Sequence, residues 1–505
     1  MGNAYFMVVL GILLAKCIGF YRDMVFAGVF GTGVMADIYF QVFGLVNLIF
    51  TGIGVALSTL VIKNINKAEN AGHEKAYAAQ FLRKAFFYLL IAVGVMALFA
   101  KQIVAIVLPN LTGSDLQLAI NMMYVMLPSL IFVVIAYIIS GLLQNERVYF
   151  VTAIMSLPFN AAIILSLFVP EVSIFTVGIV TTIGWFLHIA ILLPSFYKKG
   201  YSLLKKKDSA LVKSGKNMEI LWIFISNMMF QLCFYTDRAF VSGDAGMAST
   251  FNYASNLFIT ISSVFVVAMS TVVFPAISKN YEEGNIDYVN DLLRYIIRIM
   301  AAIFLPFLLV IALFGPDVIR LIYERGSFDA DSTRAVSSIL MIYSLGILGY
   351  VSQELFNKIL YLAGKYRYCV IGTVVVVALN VISNILIVNT TAEAPFAETG
   401  LSNVAFGVAV ITSVLLTGYA ILIALGIRKV VGAYWKKDLL ADIGKILLSG
   451  MLALLVYVGF NTLLPGFTHG YVTFILPLCA CGAVYLASLF ATGVLMKLIK
   501  KEKRG

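Results

Sequence analysis

The sequence predicts an all-α polytopic membrane protein with about fourteen helices: two parallel six-helix lobes around a central cavity, followed by two further helices. Three observations carry this. Hydrophobic residues make up 61% and charged residues only 12% of the 505 positions, about half the charge of a soluble domain, so most of the chain must face lipid or other helices. Apolar runs long enough to span recur along its whole length. Basic residues collect in alternate connections between those runs.

The runs are centred near Leu13, Leu48, Ile91, Ile131, Ile163, Ile183, Phe224, Val264, Phe304, Leu345, Val376, Leu415, Leu454 and Ala487. Lys63, Lys67, Lys75, Arg83 and Lys84 lie between the second and third. Lys198, Lys199, Lys205, Lys206, Lys207, Lys213 and Lys216 lie between the sixth and seventh, Arg428, Lys429, Lys436 and Lys437 follow the twelfth, and Lys500, Lys501, Lys503 and Arg504 form the tail. With fourteen spans all these fall on one side, which places both termini in the cytoplasm by the positive-inside rule. Asn389 to Thr399 and Pro465 to Gly470, on the other side, carry no Lys or Arg. The formal charge of +11 is thus a topology signal rather than a nucleic-acid footprint.

The two halves repeat. Tyr21-Arg22-Asp23 parallels Tyr235-Thr236-Asp237, and Gly33-Val34-Met35-Ala36 parallels Gly246-Met247-Ala248-Ser249. Phe81-Leu82-Arg83 parallels Leu292-Leu293-Arg294, and Gln144-Asn145-Glu146-Arg147 parallels Gly364-Lys365-Tyr366-Arg367. Four matches in order, at offsets of roughly 211 to 220 residues, define a six-helix unit. An even unit enters the membrane twice from the same side, which gives parallel lobes. The expected domains are 1–198, a basic linker 199–216, a second lobe 217–427, and 428–505 holding the last two spans and the tail.

The five cysteines, Cys17, Cys233, Cys369, Cys479 and Cys481, lie in or beside apolar spans and behave as small packing residues. The three histidines, His73, His188 and His469, are too scattered for a metal site. The chain has no Gly-x-x-x-x-Gly-Lys-Ser/Thr loop, so no ATP-hydrolysing cofactor site is expected. No cluster of loop carboxylates points to an enzyme such as a glycosyltransferase.

Charges inside the spans carry the functional reading, because charge at membrane depth tends to line an aqueous cavity or find a partner. Lys16 and Asp23 are seven apart and share a helix face, with Gly19 between them, while Arg22 is turned about a third of a circle away. They form either a cationic site for an anionic head group or an internal Arg-Asp tether. Asp37 opens the second span as a helix-entry residue or a site residue. Asp237-Arg238 occupies the matching place in the second lobe as a cavity pair or a self-neutralising one. Arg294 and Arg298 read as snorkelling residues. Glu354 and Lys358, at i and i+4, read as an ion pair or as a cavity lysine. Pro128, Pro158, Pro275 and Pro306 interrupt spans, and Asn160 and Asn380 are polar partners of the kind helix interfaces use.

Ala15-Lys16-Cys17-Ile18-Gly19-Phe20-Tyr21-Arg22-Asp23, then Phe30-Gly31-Thr32-Gly33 and Ala36-Asp37, resemble the opening of the MurJ (MviN) family of bacterial lipid II flippases. Leu321 to Asp329, Phe251 to Leu257 and Phe274 to Ser278 resemble further segments of it. The resemblance implies the multidrug/oligosaccharidyl-lipid/polysaccharide exporter fold, alternating inward-open and outward-open states, and outward carriage of the undecaprenyl-pyrophosphate-linked peptidoglycan precursor. It also implies membrane potential or an ion gradient as the energy source, and action as a monomer alongside cell-wall synthesis enzymes. Lys16, Arg22 and Asp37 match its cavity charges. The chain departs from the family where a basic pair follows Asn-Leu, since Phe50 and Thr51 stand there, and where span eight has an Arg, since Asn256 stands there. The expected substrate-binding residues are Lys16, Arg22, Asp23, Asp37, Asp237, Arg238, Asn256 and Lys358. Another polyprenyl-linked glycan is the alternative cargo. A cation-coupled drug exporter and a structural membrane scaffold are the competing classes.

Overall fold

The computed structural model describes residues 2–69, 74–109, 111–202, 218–389, 400–463 and 472–499. Most of the basic linker, the tail, His73, His469 and the loops 390–399 and 464–471 lie outside these residues, as do the side chains of Phe50 and Thr51. Every regular element described is a helix. The first run comprises α1 (Gly2–Phe30), α2 (Val34–Glu69), α3 (Glu74–Leu98), α4 (Ala100–Val107), α5 (Gly113–Met126), α6 (Ser129–Asn145), α7 (Tyr149–Ala153), α8 (Leu157–Leu167), α9 (Ile174–Ala190) and α10 (Leu193–Lys198). The second comprises α11 (Met218–Val241), α12 (Met247–Val272), α13 (Phe274–Glu282), α14 (Ile286–Tyr323), α15 (Ala330–Leu345), α16 (Ile347–Leu362), α17 (Tyr366–Val388) and α18 (Asn403–Val431). α19 (Lys437–Leu463), α20 (Val472–Ala491) and α21 (Val494–Ile499) close the chain.

Among the described residues, ten helical stretches are long and apolar enough to cross a membrane, or eleven if α15 and α16, bent by 50°, form one span. That is fewer than fourteen. The remaining expected spans, near Leu13, Phe224 and Ala487, are helical as α1, α11 and α20. The prolines act differently from one another. Pro128 keeps helical backbone angles between α5 and α6, and Pro158 and Pro275 sit in the first turns of α8 and α13, where no N–H is needed. Pro306, expected to interrupt a span, lies inside the unbroken α14 together with Pro316.

Helix starts follow the capping residues. Ser173 accepts from Thr176 N at 3.1 Å ahead of α9, and Ser402 from Ala405 N at 3.2 Å ahead of α18. Asp329 accepts from Ser332 N at 2.8 Å ahead of α15, and the hydrogen bonds from Ser332 hold its carboxyl below the usual carboxylate range. The repeat shows at two helix ends. α6 closes with Val148 N to Leu143 O at 2.8 Å and a left-handed Arg147, and α16 closes with Lys365 N to Leu360 O at 2.7 Å and a left-handed Gly364. The structural partner of Arg147 is therefore Gly364, three residues before the Arg367 that sequence matching selects.

The chain divides into two compact units. Unit 1 is Met1–Tyr253 with Tyr323–Ser332 and Val381–Glu393, and unit 2 is Ala254–Ile322 with Thr333–Asn380 and Ala394–Gly505. In unit 1, α6 is apolar all round and buried along most of its length. It packs on α2 where small residues permit, since a Cβ at Gly141 would fall 2.0 Å from Ser58 Oγ. In unit 2, α14 packs with α19–α21 through Ala301, Ala302, Ile446, Ala453, Cys481, Tyr485, Leu489 and Val494. Tyr485 Oη donates to Ala302 O at 2.8 Å. At one end of this packing the buried Asp442 carboxylate takes Arg298 Nε at 2.7 Å and Lys497 Nζ at 2.6 Å. Arg294 pairs with Asp291, so both arginines read as snorkelling have carboxylate partners.

Candidate functional site

Arg22 is the best-defined charged residue of unit 1. Its Nε and Nη2 donate to Asp23 Oδ1 at 3.0 and 2.7 Å, and its Nη1 donates to Asn160 Oδ1 at 3.1 Å. Asn160 is oriented in turn by its Nδ2 donating to Ser156 O at 3.0 Å, which fixes the amide oxygen toward the guanidinium. The guanidinium carbon lies 6.0 Å from the Phe43 ring centroid and 5.6 Å from that of Phe159, within cation–π range. Of the five N–H groups a guanidinium carries, three are thus engaged, and the other two have no partner among the described residues. Asp23 and Asn160 hold the fork in place, which matches the tether expected from the sequence, and a guanidinium N–H is a donor of the kind that phosphate oxygens accept from.

Lys16 is half-buried on α1, six residues before Arg22. Gly19 lies beside Asn160, but a Cβ there would sit 3.7 Å from the amide, an ordinary contact, so this approach does not demand glycine. Arg238 extends from α11 to α2 and α12. Its Nη1 donates to Asn252 Oδ1, its guanidinium lies 5.4 Å from the Tyr235 ring, and a Cβ at Gly44 would be 2.9 Å from its Nη2. Arg22 meets α2 at Phe43 and Arg238 meets it at Gly44, so two arginines flank successive residues of that helix.

Asp37 and Asp237 have hydrogen-bond partners of their own. Asp37 is 4% exposed, and its two oxygens accept from Gly246 N at 2.7 Å and Ser249 N at 2.6 Å. Its carboxylate caps the N-terminus of α12, a helix far along the chain, where negative charge complements the helix dipole. Asp237 is fully buried and accepts from Asn384 Nδ2 at 3.1 Å, so the adjacent Asp237 and Arg238 face different helices. Within unit 2, Lys358 Nζ donates to Ser270 Oγ at 2.5 Å, and Gln353 Nε2 donates to Glu354 Oε1 at 3.4 Å. Asn256 lies on α12, four residues after Asn252.

A family model described as lipid II flippase MurJ matches residues 26–494. The chain belongs to the lipid II flippase MurJ family. Among curated relatives, the probable lipid II flippase MurJ of Rhizobium tropici is 25% identical over 398 residues, 75% of this chain and 74% of that protein. The lipid II flippase MurJ of Burkholderia cenocepacia is 23% identical over 357 residues, 67% of this chain and 69% of that protein. A solved structure, lipid II flippase MurJ in an inward closed conformation, superposes with a TM-score of 0.77 at 20% identity, covering 97% of this chain and 99% of that one. An inward-facing multidrug resistance transporter of the MATE family matches at 0.64 and 15% identity, covering 83% and 94%. The fold is that of the MurJ and MATE transporters, and the protein is a multi-pass membrane transporter.

Sequence reasoning did not pair Arg238 with Asn252, Asp237 with Asn384, Lys358 with Ser270 or Arg298 with Asp442. The i, i+4 repeat of Asn252 and Asn256 was a signal for a polar stripe on α12. The other partners lie on distant helices with no local signature.

Proposed function

We propose that this chain moves lipid II, the undecaprenyl-pyrophosphate-linked peptidoglycan precursor, from the inner to the outer leaflet of a bacterial plasma membrane. Both termini would lie in the cytoplasm, and the lobes 1–198 and 217–427 would alternate access to a cavity between leaflets. The observation that carries this reading is the family match over residues 26–494. Arg22 supplies the chemistry: a pre-oriented guanidinium with free N–H groups suits a pyrophosphate oxygen, and Asp23 lowers the local charge enough for the cargo to leave again. Lys16 and Arg238 add charge for the second phosphate. Membrane potential or an ion gradient drives the cycle, with the chain acting as a monomer beside the cell-wall synthesis enzymes.

One observation favours a second cargo. Phe50, Thr51 and Asn256 stand where basic residues are expected, which leaves fewer cations for a pyrophosphate and suits a different polyprenyl-linked glycan, such as an exopolysaccharide or teichoic precursor. Depletion of the protein followed by analysis of polyprenyl-linked intermediates decides between them. Accumulation of lipid II on the inner leaflet, relieved by wild-type protein and not by Arg22→Ala, is expected. Accumulation of another glycan with lipid II unchanged refutes the first assignment.

A further inference from the structure

The segment Tyr323–Ser332 joins unit 1, although the chain before it and after it, up to Ile322 and from Thr333, belongs to unit 2. Within unit 1 it meets the C-terminal end of α1 backbone to backbone. Ser327 donates its N–H to Gly28 O at 2.8 Å and its hydroxyl to Val29 O at 2.8 Å. The Thr32 and Ser332 hydroxyls are 2.6 Å apart, and Tyr253 Oη donates to Gly31 O at 3.1 Å. The fit leaves no room for side chains. A Cβ at Gly31 would lie 2.2 Å from Ser327 O, and one at Gly326 would lie 2.1 Å from Gly28 O; both glycines are left-handed, at φ +59° and +57°.

Two features make this contact reversible in kind. Its polar part consists of hydrogen bonds that water can replace at little net loss, and Ser327 is exposed. Beneath it Tyr253, Tyr323 and Phe328 are buried with ring centroids 5.2 to 5.6 Å apart. The Tyr323 hydroxyl in that cluster has no hydrogen-bond partner among the described residues. An orphaned buried hydroxyl is a standing penalty that wetting would relieve. The closed arrangement therefore contains a group that opening would stabilise.

We propose that residues 323–332 are a releasable latch on the outer end of α1, fastened here and released when the transporter opens outward. The proposal rests on the alternating-access reading above and on the orientation with the N-terminus inside, which puts the end of α1 outside. Glycine at 31 and 326 is what lets the latch close, Phe328 seats it, and the Thr32–Ser332 contact secures its far end.

The test uses the full-length protein. Cysteines at Thr32→Cys and Ser332→Cys, where the hydroxyls now touch, should form a disulfide on mild oxidation. That bond should lower lipid II transport about tenfold or more, restored by reductant, with each single variant unaffected. Normal transport by the oxidised double variant would show permanent packing instead of a latch and overturn the proposal. An arm independent of cargo follows labelling of Ser332→Cys by an impermeant maleimide from outside, with the parent protein's own cysteines as background. Gly326→Ala, which prevents closure, should raise that labelling severalfold, and unchanged labelling in folded protein also overturns the proposal. If Gly326→Ala fails to reach the membrane, the disulfide decides alone. If wild type moves no lipid II, the cargo assignment fails while the labelling still judges the latch.

Discussion

Replacing Asp37 separates a helix-capping carboxylate from a cavity charge. Both of its oxygens are committed to N–H groups at the start of α12, and at 4% exposure water cannot readily take its place. Asp37→Ala strands those donors. Hydrogen bonds to a charged group contribute about 1.5–3 kcal/mol each, and partial relaxation brings the expected loss to about 3–5 kcal/mol. Asp37→Asn keeps one acceptor and turns an amide NH2 toward the other N–H, so its loss should be smaller, about 1–3 kcal/mol. For a chain of 505 residues, where 1 kcal/mol moves the midpoint by roughly 1 °C, Asp37→Ala should melt about 3–5 °C below wild type. A thiol-reactive dye can follow this in detergent, because Cys233 and Cys369 are buried and react only on unfolding. An Asp37→Ala protein that melts within about 1 °C of wild type but no longer transports would refute the capping argument and return Asp37 to the cavity.

Three further outcomes follow from the polar pairs. Arg22→Lys should retain part of the transport that Arg22→Ala abolishes, since charge survives while the fork is lost. Asn160→Ala should lower transport without changing the amount of folded protein in the membrane, and a flipping assay beside a membrane blot reads both; loss of the Asn160→Ala protein from the membrane would mean the tether dominates. Asp442→Ala leaves Arg298 and Lys497 without their shared carboxylate, a loss of about 3–5 kcal/mol for a broken buried pair. Limited proteolysis should then release α19–α21 well before wild type does, and equal resistance would refute it.

The helices were legible because lipid leaves the backbone only helices or closed barrels, and apolar runs of about 20 residues fit helices. Counting them was less secure. Near Leu345 the apolar run continues straight through the bend between α15 and α16, because Gly346 breaks the axis without breaking the hydropathy. The charged residues were legible as a set, since an ionised group in an apolar run stands out wherever it points. Their roles were not. Asp37 and Arg22 both stand out in the sequence as intramembrane charges, yet one caps a helix whose first turn is more than two hundred residues away and the other is held by Asp23 and Asn160. Which role applies depends on the neighbouring helix, and nothing within one turn of either residue encodes that neighbour.

The length of α14 has a mechanical consequence. Its 38 residues make a rod of about 57 Å, nearly twice the roughly 30 Å of bilayer hydrocarbon. Near one end Arg298 is bolted through Asp442 to α19. The other end is Tyr323, which runs directly into the segment lying on α1. Such a rod can work as a lever arm: Tyr323 lies roughly 38 Å along the helix from Arg298, so a swing of about 5° about that residue would carry the far tip about 3 Å. That is about the length of the 2.8 Å hydrogen bonds joining Ser327 to Gly28 and Val29. If the latch proposed above is correct, an angular change of that size would be enough to lift the strap off its seat.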